Sequence, residues 1–362
     1  MHHRTEHEPV DFHEPIPTEG LEVEGWKEIP VQENGEPLVA LGPFSGGPYD
    51  RLLTDSLYWR ERDNSPYERG ALEGSLLGVY ARQGVADRLV RAEASLPPGH
   101  HLAVWDAQRT LELQGSLYEA FCQELHRLHP DWPEARLAEH TQRYVSLPST
   151  DPDRPSPHNT GGAVDVDIFR LPETVEARVQ EIDSRIREIG EDPGHASEVY
   201  ELEMERLAML TRHAEPLGFG TLRDHGDAPA AADYFERLAG ERPLDGAETQ
   251  ARDNRRLLYN VMKAAGMQPF QSEWWHYNAP ESQMGARVAG RPVAGYGAVE
   301  LTPGLQEYEA MRRGHLVGTV RLLQGGGKLR SPQLRFLHEV SKRTGDLRKT
   351  SLPKAEKIRP AA

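Results

Sequence analysis

The sequence predicts an α+β protein whose sheet is mostly antiparallel and flanked by helices. Segments of strand-like alternation and longer segments with apolar residues every three or four positions are interspersed along the 362 residues. They lack the regular strand–helix–strand rhythm that a parallel sheet requires. Hydrophobic residues make up 37% of the chain and charged residues 27%, so a core can form and wholesale disorder is excluded.

The first part of the chain predicts an arm followed by helices and a strand. Residues 1–48 are rich in Glu, Pro and Gly and predict an extended arm, with a short strand near Leu38–Leu41. Helical spacing lies within residues 70–96, and a strand follows at 101–106. Apolar side chains that recur every three or four residues over 113–128 predict the next helix.

The middle of the chain contains a loop, a strand and a helical hairpin. Prolines and paired glycines mark residues 145–162 as a loop, and strict alternation over 163–169 predicts a strand. Residues 174–212 carry apolar residues at helical spacing on both sides of a break at 191–194, which predicts two paired helices. We interpret this helical hairpin as an insertion into the main domain.

The last strong signals are a helix and an aromatic strand. Asp253 is the expected N-cap of a helix that ends at Gly266, and residues 270–277 read as a strand. We therefore divide the chain into the arm over 1–48, a main domain over 49–280 and a C-terminal extension over 281–362.

Charge argues against a nucleic-acid partner. The formal net charge is −15, although the residues from Gly285 onward carry more Lys and Arg than Asp and Glu. A predominantly acidic protein is not expected to bind nucleic acid. The basic tail is expected to be a solvated face; the alternatives are that it folds back on the acidic body or contacts an acidic partner.

The single cysteine and the hydropathy of the chain limit its class further. With Cys122 alone, an internal disulfide framework and a cysteine-based zinc knuckle are both excluded. No apolar stretch approaches the ~18 residues of a membrane span, and the first ten residues lack the apolar region of a secretory signal. These features predict a protein of the cytoplasm with no membrane partner.

The first candidate site begins in the proline-rich loop and ends on the strand that follows it. His158 leaves the loop, two glycines allow a sharp turn, and Asp165 and Asp167 lie on one face of the strand. Buried acids on an apolar strand are costly unless they are paired or bind a cation. The alternative is a loop histidine beside a carboxylate that caps backbone amides, and these residues alone leave both readings open.

The second candidate site is the segment from Glu273 to His276, with two tryptophans between them. The aromatic content predicts a strand, on which residues three apart nominally point to opposite faces. The two side chains can serve one site only if the strand bends or ends there. The alternative is an edge-strand aromatic cluster with a hydrogen-bonded histidine.

Together the two segments offer His158, Asp165 and His276 with Glu273 as a spare carboxylate. Three nitrogen or oxygen ligands with one open position are typical of a catalytic zinc site, and a spare glutamate suits a general base. Arg109 follows the end of the strand at 101–106, where it is a candidate donor for an oxyanion. The alternative for Arg109 is an ordinary surface arginine.

These segments resemble the D-alanyl-D-alanine dipeptidases, the zinc peptidase family that includes the vancomycin-resistance dipeptidase. Three family motifs occur in the family's order over about residues 75–280. They are S-x-H-x-x-G-x-A-x-D at Ser156, His158, Gly161, Ala163 and Asp165; E-W-W-H at Glu273 to His276; and W-D-x-x-R at Trp105, Asp106 and Arg109. The segment Asn254-Arg-Arg256, expected to open a helix, is also similar.

The resemblance implies one zinc ion per chain and a small dipeptide substrate. It implies zinc ligands His158, Asp165 and His276, with Glu273 as general base and Arg109 as transition-state stabiliser. Ser156 is implied to lie beside the substrate. The implied fold is the small α+β fold shared with D,D-carboxypeptidases and Hedgehog-type domains.

Two departures from the family affect the substrate pocket more than the chemistry. The family has an M-G-T-x-F-D stretch between its ligand motifs, whereas the nearest segment here, residues 217–224, has no acid directly after its phenylalanine. The helical hairpin, the arm and the extension are additions. They lie in or near the region expected to wall the pocket.

The leading prediction is a zinc dipeptidase that cleaves D-Ala-D-Ala or a related short D-amino-acid dipeptide, for glycopeptide resistance or for recycling of cell-wall D-alanine. One alternative is a D,D- or L,D-peptidase of cell-wall stem peptides. A second is a non-haem Fe(II) oxygenase, whose ligands are also two histidines and a carboxylate. A third is a non-catalytic metal-binding or interaction protein. The oligomeric state is left open by the sequence.

Overall fold

The structure is a computed structural model that describes residues 10–21, 23–43, 45, 48–59, 72–190, 195–310 and 312–313. A further helical stretch covers residues 303–310. The named strands and helices of this part of the chain, in order, are β1 Leu38–Leu41, β2 Leu53–Thr54, β3 Val79–Arg82, α1 Gln83–Ser95, β4 His100–Asp106, α2 Leu111–Leu128, α3 Glu134–Thr141, β5 Ala163–Arg170, α4 Glu173–Ile189, α5 Ala196–His213, β6 Glu215–Pro216, α6 Tyr234–Glu241, α7 Gly246–Ala264, β7 Gln268–Phe270, β8 Glu273–Asn278 and α8 Gln283–Val288.

Two open sheets organise these elements. The larger sheet has six strands, with β2, β4, β5, β8 and β7 side by side and β6 paired to the end of β5. Its neighbours are antiparallel except for β2 and β4, which run parallel. Strands β1 and β3 form a separate antiparallel pair. The predicted α+β class with a mostly antiparallel sheet is therefore confirmed.

Strand β5 separates the main core from the polar face of the sheet. Its alternate residues Val164, Val166 and Ile168 are fully buried in the largest apolar cluster. Helices α1 and α7 contribute Leu89 and Leu258 to the same cluster. Because side chains alternate along a strand, the intervening acidic residues of β5 face the other side of the sheet. The chemistry-bearing residues are thus held on a strand that the core fixes in place.

Helix α7 begins earlier than the sequence suggested. Asp245 accepts a hydrogen bond from the Glu248 amide, and the Glu248 side chain accepts from the Asp245 amide. This capping box starts the helix at Gly246, so the expected N-cap Asp253 lies inside the helix and that prediction is wrong. Likewise, the segment 254–256 lies within α7 and does not open it. The expected end is confirmed, since Gly266 has a left-handed φ of 88° just past the helix.

Two other predicted elements have different bounds in the structure. Only Gln83–Ser95 of the 70–96 segment is helical, because residues 79–82 pair with β1 as strand β3. The aromatic segment 270–277 is two strand pieces, since β7 ends at Phe270 and β8 starts at Glu273. The two pieces run antiparallel, so the chain reverses between them.

The predicted helical hairpin is present as α4 and α5. The two helices contact each other, and the break at 191–194 lies outside the described residues. Val175, Val179 and Leu210 bury their side chains against Phe169 and Leu171 at the end of β5. The hairpin therefore packs on one end of the sheet. That it is an insertion stays a prediction.

Parts of the arm pack into the main core, and the arm also pairs with the extension. Ile16 and Leu21 are buried in the main core, and Val31 pairs with Ala294 in an isolated parallel bridge. Of the basic tail, residues 314–362 lie outside the described part. Within the described part, none of the helices has the length and apolar character needed to cross a bilayer.

Candidate metal centre and active-site cavity

Three predicted ligands meet at one point of the polar sheet face. His158 lies in a short 3-10 turn, Asp165 on β5 and His276 on β8. Asp165 and His276 are directly opposite each other across the two strands. One ligand atom from each of the three side chains lies within 4.8 Å of the others, and all three residues are buried.

The spacing of these atoms fits a tetrahedral cation site. His276 Nδ1 is 3.1 Å from His158 Nε2 and 3.1 Å from Asp165 Oδ1, and His158 Nε2 is 3.5 Å from the same oxygen. Three ligands at the zinc distance of ~2.0–2.2 Å on a tetrahedron lie about 3.4 Å apart. The three side chains therefore need little movement to share one zinc-sized ion.

Hydrogen bonds on the far side of each imidazole orient its free nitrogen toward this point. His158 Nδ1 lies 2.8 Å from the Ala107 carbonyl oxygen, which only accepts, so Nδ1 carries the proton and Nε2 keeps its lone pair. His276 Nε2 lies 3.3 Å from Asn278 Oδ1, which leaves its Nδ1 as the acceptor. Two lone pairs that face each other beside a carboxylate match the donor set of a divalent cation.

Asp165 is poised as an anion. Burial alone would raise its pKa, but positive charge at His158 and His276 and the hydrogen bonds that a protonated imidazole donates outweigh burial and hold the pKa of Asp165 well below its ordinary value. A bound cation would supply the same stabilisation in place of those protons. An ionised, buried carboxylate beside two imidazoles is the anionic member that a cation site requires.

The turn that carries His158 depends on a glycine and on a buried arginine. Gly161 has a φ of 65°, and a Cβ at this position would lie 2.6 Å from Leu38. The Arg82 amide donates to the Gly161 carbonyl, and its Nε donates to the Thr160 carbonyl. The backbone conformation thus explains why the motif has glycine at position 161, because a residue with a Cβ would be strained there.

Glu273 reaches the same point from the first position of β8. Its Oε2 lies 3.6 Å from His276 Nδ1, although residues three apart on a regular strand oppose each other. The β7–β8 register shifts between Pro269 and Phe270, and this irregularity lets both side chains face one side. Burial, followed by the charges of Asp165 and Asp224, raises the pKa of Glu273 well above its ordinary value.

Arg109 is buried beside the three candidate ligands and is not a surface arginine. It is 8% exposed, and its Nε donates to Asp106 at 2.9 Å. Its other nitrogens donate to Gln114 at 3.1 Å and to the Tyr58 hydroxyl at 3.3 Å, and Nη2 lies 3.9 Å from Asp165. Burial alone would lower its pKa, but these acidic neighbours raise it, so the guanidinium stays charged.

Ser156 lines the cavity of the site, whereas Cys122 does not. Ser156 is buried, donates to Asn159 Oδ1 at 2.6 Å and lines the same cavity as Arg109. Cys122 is half-buried on α2 with a free thiol and does not line that cavity.

Of the two acids on the polar face of β5, Asp165 faces the candidate metal centre and Asp167 does not. Asp167 forms an ion pair with Arg223 and accepts from Trp105 Nε1 at 2.8 Å. Of the two ways to stabilise a buried acid, pairing or cation binding, Asp167 shows the first, because Arg223 neutralises it. Burial still raises the pKa of Asp167, against the lowering effect of Arg223.

Two residues that the sequence reasoning missed also lie at the site. Asp224 lines the cavity and lies 3.4 Å from the hydroxyl of Tyr58, another lining residue. Burial and the charge of Asp165 raise the pKa of Asp224 to about 7. The sequence contained a signal for Asp224. Gly220, Thr221 and Asp224 have the spacing of the family's M-G-T-x-F-D stretch, and Arg223 stands where that stretch has its phenylalanine.

One cavity of about 530 Å³ joins these groups. Residues 23–27 of the arm form one wall, and residues 142–147 after α3 form another. Its lining includes the candidate ligands, base and arginine together with aromatic side chains, namely His158, Asp165, His276, Glu273, Arg109, Asp224, Tyr58, Ser156, Phe121, Tyr144, Phe270 and Trp275.

Comparison with known proteins points to one enzyme family. A family model described as D-ala-D-ala dipeptidase matches residues 223–293, a range that contains Asp224, Glu273 and His276. A curated D-alanyl-D-alanine dipeptidase from Synechocystis sp. is 23% identical over 292 residues, which cover 75% of this chain and 95% of that relative. Both similarities indicate a peptidase.

Proposed function

We propose that this chain, which belongs to the D-alanyl-D-alanine dipeptidase family, is a zinc-dependent dipeptidase. Its substrate is D-Ala-D-Ala or a related short D-amino-acid dipeptide. The observation that supports this proposal best is the convergence of His158, Asp165 and His276 within 4.8 Å, beside a buried glutamate and arginine in one cavity.

The donor set suits zinc, with His158, Asp165 and His276 as its ligands. A zinc ion held there would lower the pKa of a water molecule to about 7 and polarise the scissile carbonyl. The carbonyl of Ala107 and the side chain of Asn278 orient the two imidazoles, so the protein holds the ligands ready for the ion.

Glu273 is the proposed general base. It takes a proton from the water that adds to the peptide carbonyl and passes that proton to the amine nitrogen as the C–N bond breaks. Its burial suits this role, because a carboxylate with a raised pKa accepts a proton more readily. Its position 3.6 Å from His276 Nδ1 keeps it next to the candidate ligands.

Arg109 is the proposed stabiliser of the negative charge that develops on the carbonyl oxygen. Asp106 and Gln114 hold its guanidinium in one orientation, so little reorganisation is needed when the charge appears. Its Nη2 lies 3.9 Å from Asp165 Oδ2, which places it at the edge of the metal centre.

Asp224 is the proposed partner of the substrate ammonium. Ser156, the first residue of the motif that contains His158 and Asp165, is proposed to contact the substrate as well. Within the described residues, Oδ2 of Asp224 is buried and has no hydrogen-bond partner, which leaves an acceptor available to a cationic group. A dipeptide with a free amine offers such a group.

The walls of the cavity favour a short substrate over a cell-wall stem peptide. Residues 23–27 and 142–147 bound the space around the candidate centre on two sides, whereas a stem peptidase needs room for the rest of the stem peptide beyond the scissile bond. Glu273 and the peptidase comparisons likewise favour hydrolysis over the oxygenase alternative, whose metal triad does not need a spare carboxylate.

The test is D-alanine release from D-Ala-D-Ala by the purified full chain. We expect activity that a chelator abolishes and added zinc restores. Glu273→Gln should bind zinc but lose about 10²–10⁴-fold in kcat. Glu241→Gln, a change at an exposed glutamate on α6, is the matched control and should keep full activity. Zinc binding without D-alanine release would refute the substrate, and absence of zinc binding would refute the metal centre.

A further inference from the structure

Arg223 lies in a buried cluster next to the cavity. The residue is 6% exposed, and its guanidinium is paired with Asp167 and lies 3.7 Å from the centre of the Trp105 ring. The indole Nε1 of Trp105 donates to the other oxygen of Asp167 at 2.8 Å. We call these three side chains the Arg223 cluster. It ties the loop that carries Arg223 to strands β4 and β5.

Fold stability alone does not account for this cluster. Two ions removed from water lose much of their solvation, and apolar side chains of similar volume usually stabilise a core as well or better. A buried ion pair does, however, fix direction and register, because the arginine fork and the carboxylate fit each other in few orientations. The cluster therefore acts as a geometric constraint on residue 223.

The residue next to Arg223 is held in an unusual backbone conformation. Asp224 has a φ of 57°, and it is the non-glycine residue with a positive φ among those the structure describes. A residue with a Cβ is strained in this left-handed region and stays there only when its surroundings hold it. The conformation directs its carboxylate toward Tyr58 and the cavity.

We propose that the Arg223 cluster is a positioning device that holds Asp224 at the substrate ammonium and so makes the enzyme select dipeptides with a free amine. Asp167 and Arg223 are positioning residues in this proposal, since they act through Asp224. The inference rests on the proposed function, because a dipeptidase substrate supplies the ammonium.

The test replaces the ion pair by apolar side chains, Asp167→Leu with Arg223→Met. This double variant leaves no buried charge unpaired and is expected to fold. The kcat and KM are measured for D-Ala-D-Ala and for N-acetyl-D-Ala-D-Ala. We expect the preference for the free amine in kcat/KM to fall by about tenfold or more, mainly through KM, with zinc content unchanged.

Two further variants separate positioning from general stability. Glu236→Leu with Arg256→Met removes a partly buried ion pair, with an N···O distance of 2.6 Å, whose residues do not line the cavity. This control should keep the wild-type preference. Asp224→Ala should lose the preference by itself, and adding the double variant to it should cause no further loss, because both act through one carboxylate.

A crystal structure of the double variant gives a readout that does not depend on catalysis. We expect Asp224 to leave the left-handed region and its carboxylate to move away from Tyr58. An unchanged Asp224 in the double variant, an unchanged amine preference or additive losses would each overturn the proposal. If the wild-type protein cleaves neither peptide, the proposed function fails, and the Asp224 conformation alone decides the positioning role.

Discussion

At the scale of single residues, the site is defined by what lies behind each functional group. The Ala107 carbonyl sets which nitrogen of His158 carries the proton, and Asp106 with Gln114 sets the direction of Arg109. These supporting groups do not touch the proposed substrate. They restrict the conformations of the functional side chains before the substrate binds, so that less conformational entropy is lost during the reaction.

Arg109→Lys tests the value of that orientation. Lysine keeps the charge but lacks the planar fork that bonds Asp106, Gln114 and Tyr58 together. We expect kcat for D-Ala-D-Ala to fall by about 10²–10³-fold with a smaller change in KM, because the lost contact forms mainly in the transition state. Steady-state kinetics measure both values.

The matched control for Arg109 is Arg88→Lys. Arg88 is an arginine on α1 with a partly buried partner, Glu281, at 3.0 Å, and it does not line the cavity. It should keep the wild-type kcat. A change in KM alone for Arg109→Lys would show that this arginine binds the ground state and would contradict its proposed role.

At the scale of elements, different strands and turns bring their functional groups to the polar sheet face. Strand β5 supplies Asp165 and β8 supplies His276, while the turn before β5 supplies His158. The helical hairpin of α4 and α5 packs on the end of β5 and supplies no residue to the cavity lining. The hairpin contains a buried acid, Glu203, that is expected to make the free energy of unfolding depend on pH independently of the site.

Glu203→Gln is expected to stabilise the protein at high pH. Burial, opposed by Arg206 and aided by Asp50, raises the pKa of Glu203 from 4.5 to about 7. The folded state therefore favours the protonated form, and the stability contributed by this proton is lost as pH rises from about 4.5 through 7. Glutamine avoids this loss, which is about 3 kcal/mol at full ionisation.

Urea unfolding of both proteins at pH 5 and pH 8 measures this effect. The gain in free energy of unfolding should be about 2 kcal/mol or more larger at pH 8 than at pH 5. Glu205→Gln, at an exposed glutamate of α5 that is 43% exposed, is the control and should show no such difference. An equal gain at both pH values would mean that Glu203 is ionised in the folded protein throughout this range.

At the scale of the whole molecule, one buried arginine joins segments that are far apart in the sequence. Arg82, 2% exposed, donates to the carbonyls of Glu36 and Thr160, to that of Gly297 and to the carboxylate of Glu33. The arm, the turn that carries His158 and the C-terminal extension therefore meet at this side chain. Disturbance of the arm should reach the candidate metal centre through it.

Arg82→Met should cost about 3–5 kcal/mol in the free energy of unfolding, because it leaves buried carbonyls and a carboxylate without their donor. Since Thr160 lies in the turn of His158, the folded variant should also bind zinc more weakly, by about tenfold or more. Urea unfolding and competition with a zinc chelator measure the two effects.

Arg91→Met is the control for Arg82. Arg91 lies on α1, is exposed and donates to the Ala265 carbonyl at 3.3 Å. Its loss should cost less than about 1 kcal/mol and leave zinc affinity unchanged. A destabilised Arg82 variant with wild-type zinc affinity would show that the arginine supports the fold without supporting the turn.

Local sequence patterns predicted most elements and singled out the three candidate ligands that the structure brings together. The alternation of 163–169 placed Asp165 on a polar strand face, and helical spacing located α2 and the α4–α5 hairpin. The start of α7 was missed, although its signal at Asp245 and Glu248 was equally local. Such patterns can be recognised in a sequence because they depend only on residues a few positions apart.

The sequence by itself determined the α+β class and the residue types from which a metal site can be built. The tertiary structure alone decided that Asp165 pairs across the sheet with His276, that Asp167 pairs with Arg223, and that Asp224 enters the cavity. The physical reason is that these contacts join residues far apart in the chain. Their partners and their pKa values are set by burial and strand register, which only the packed core fixes.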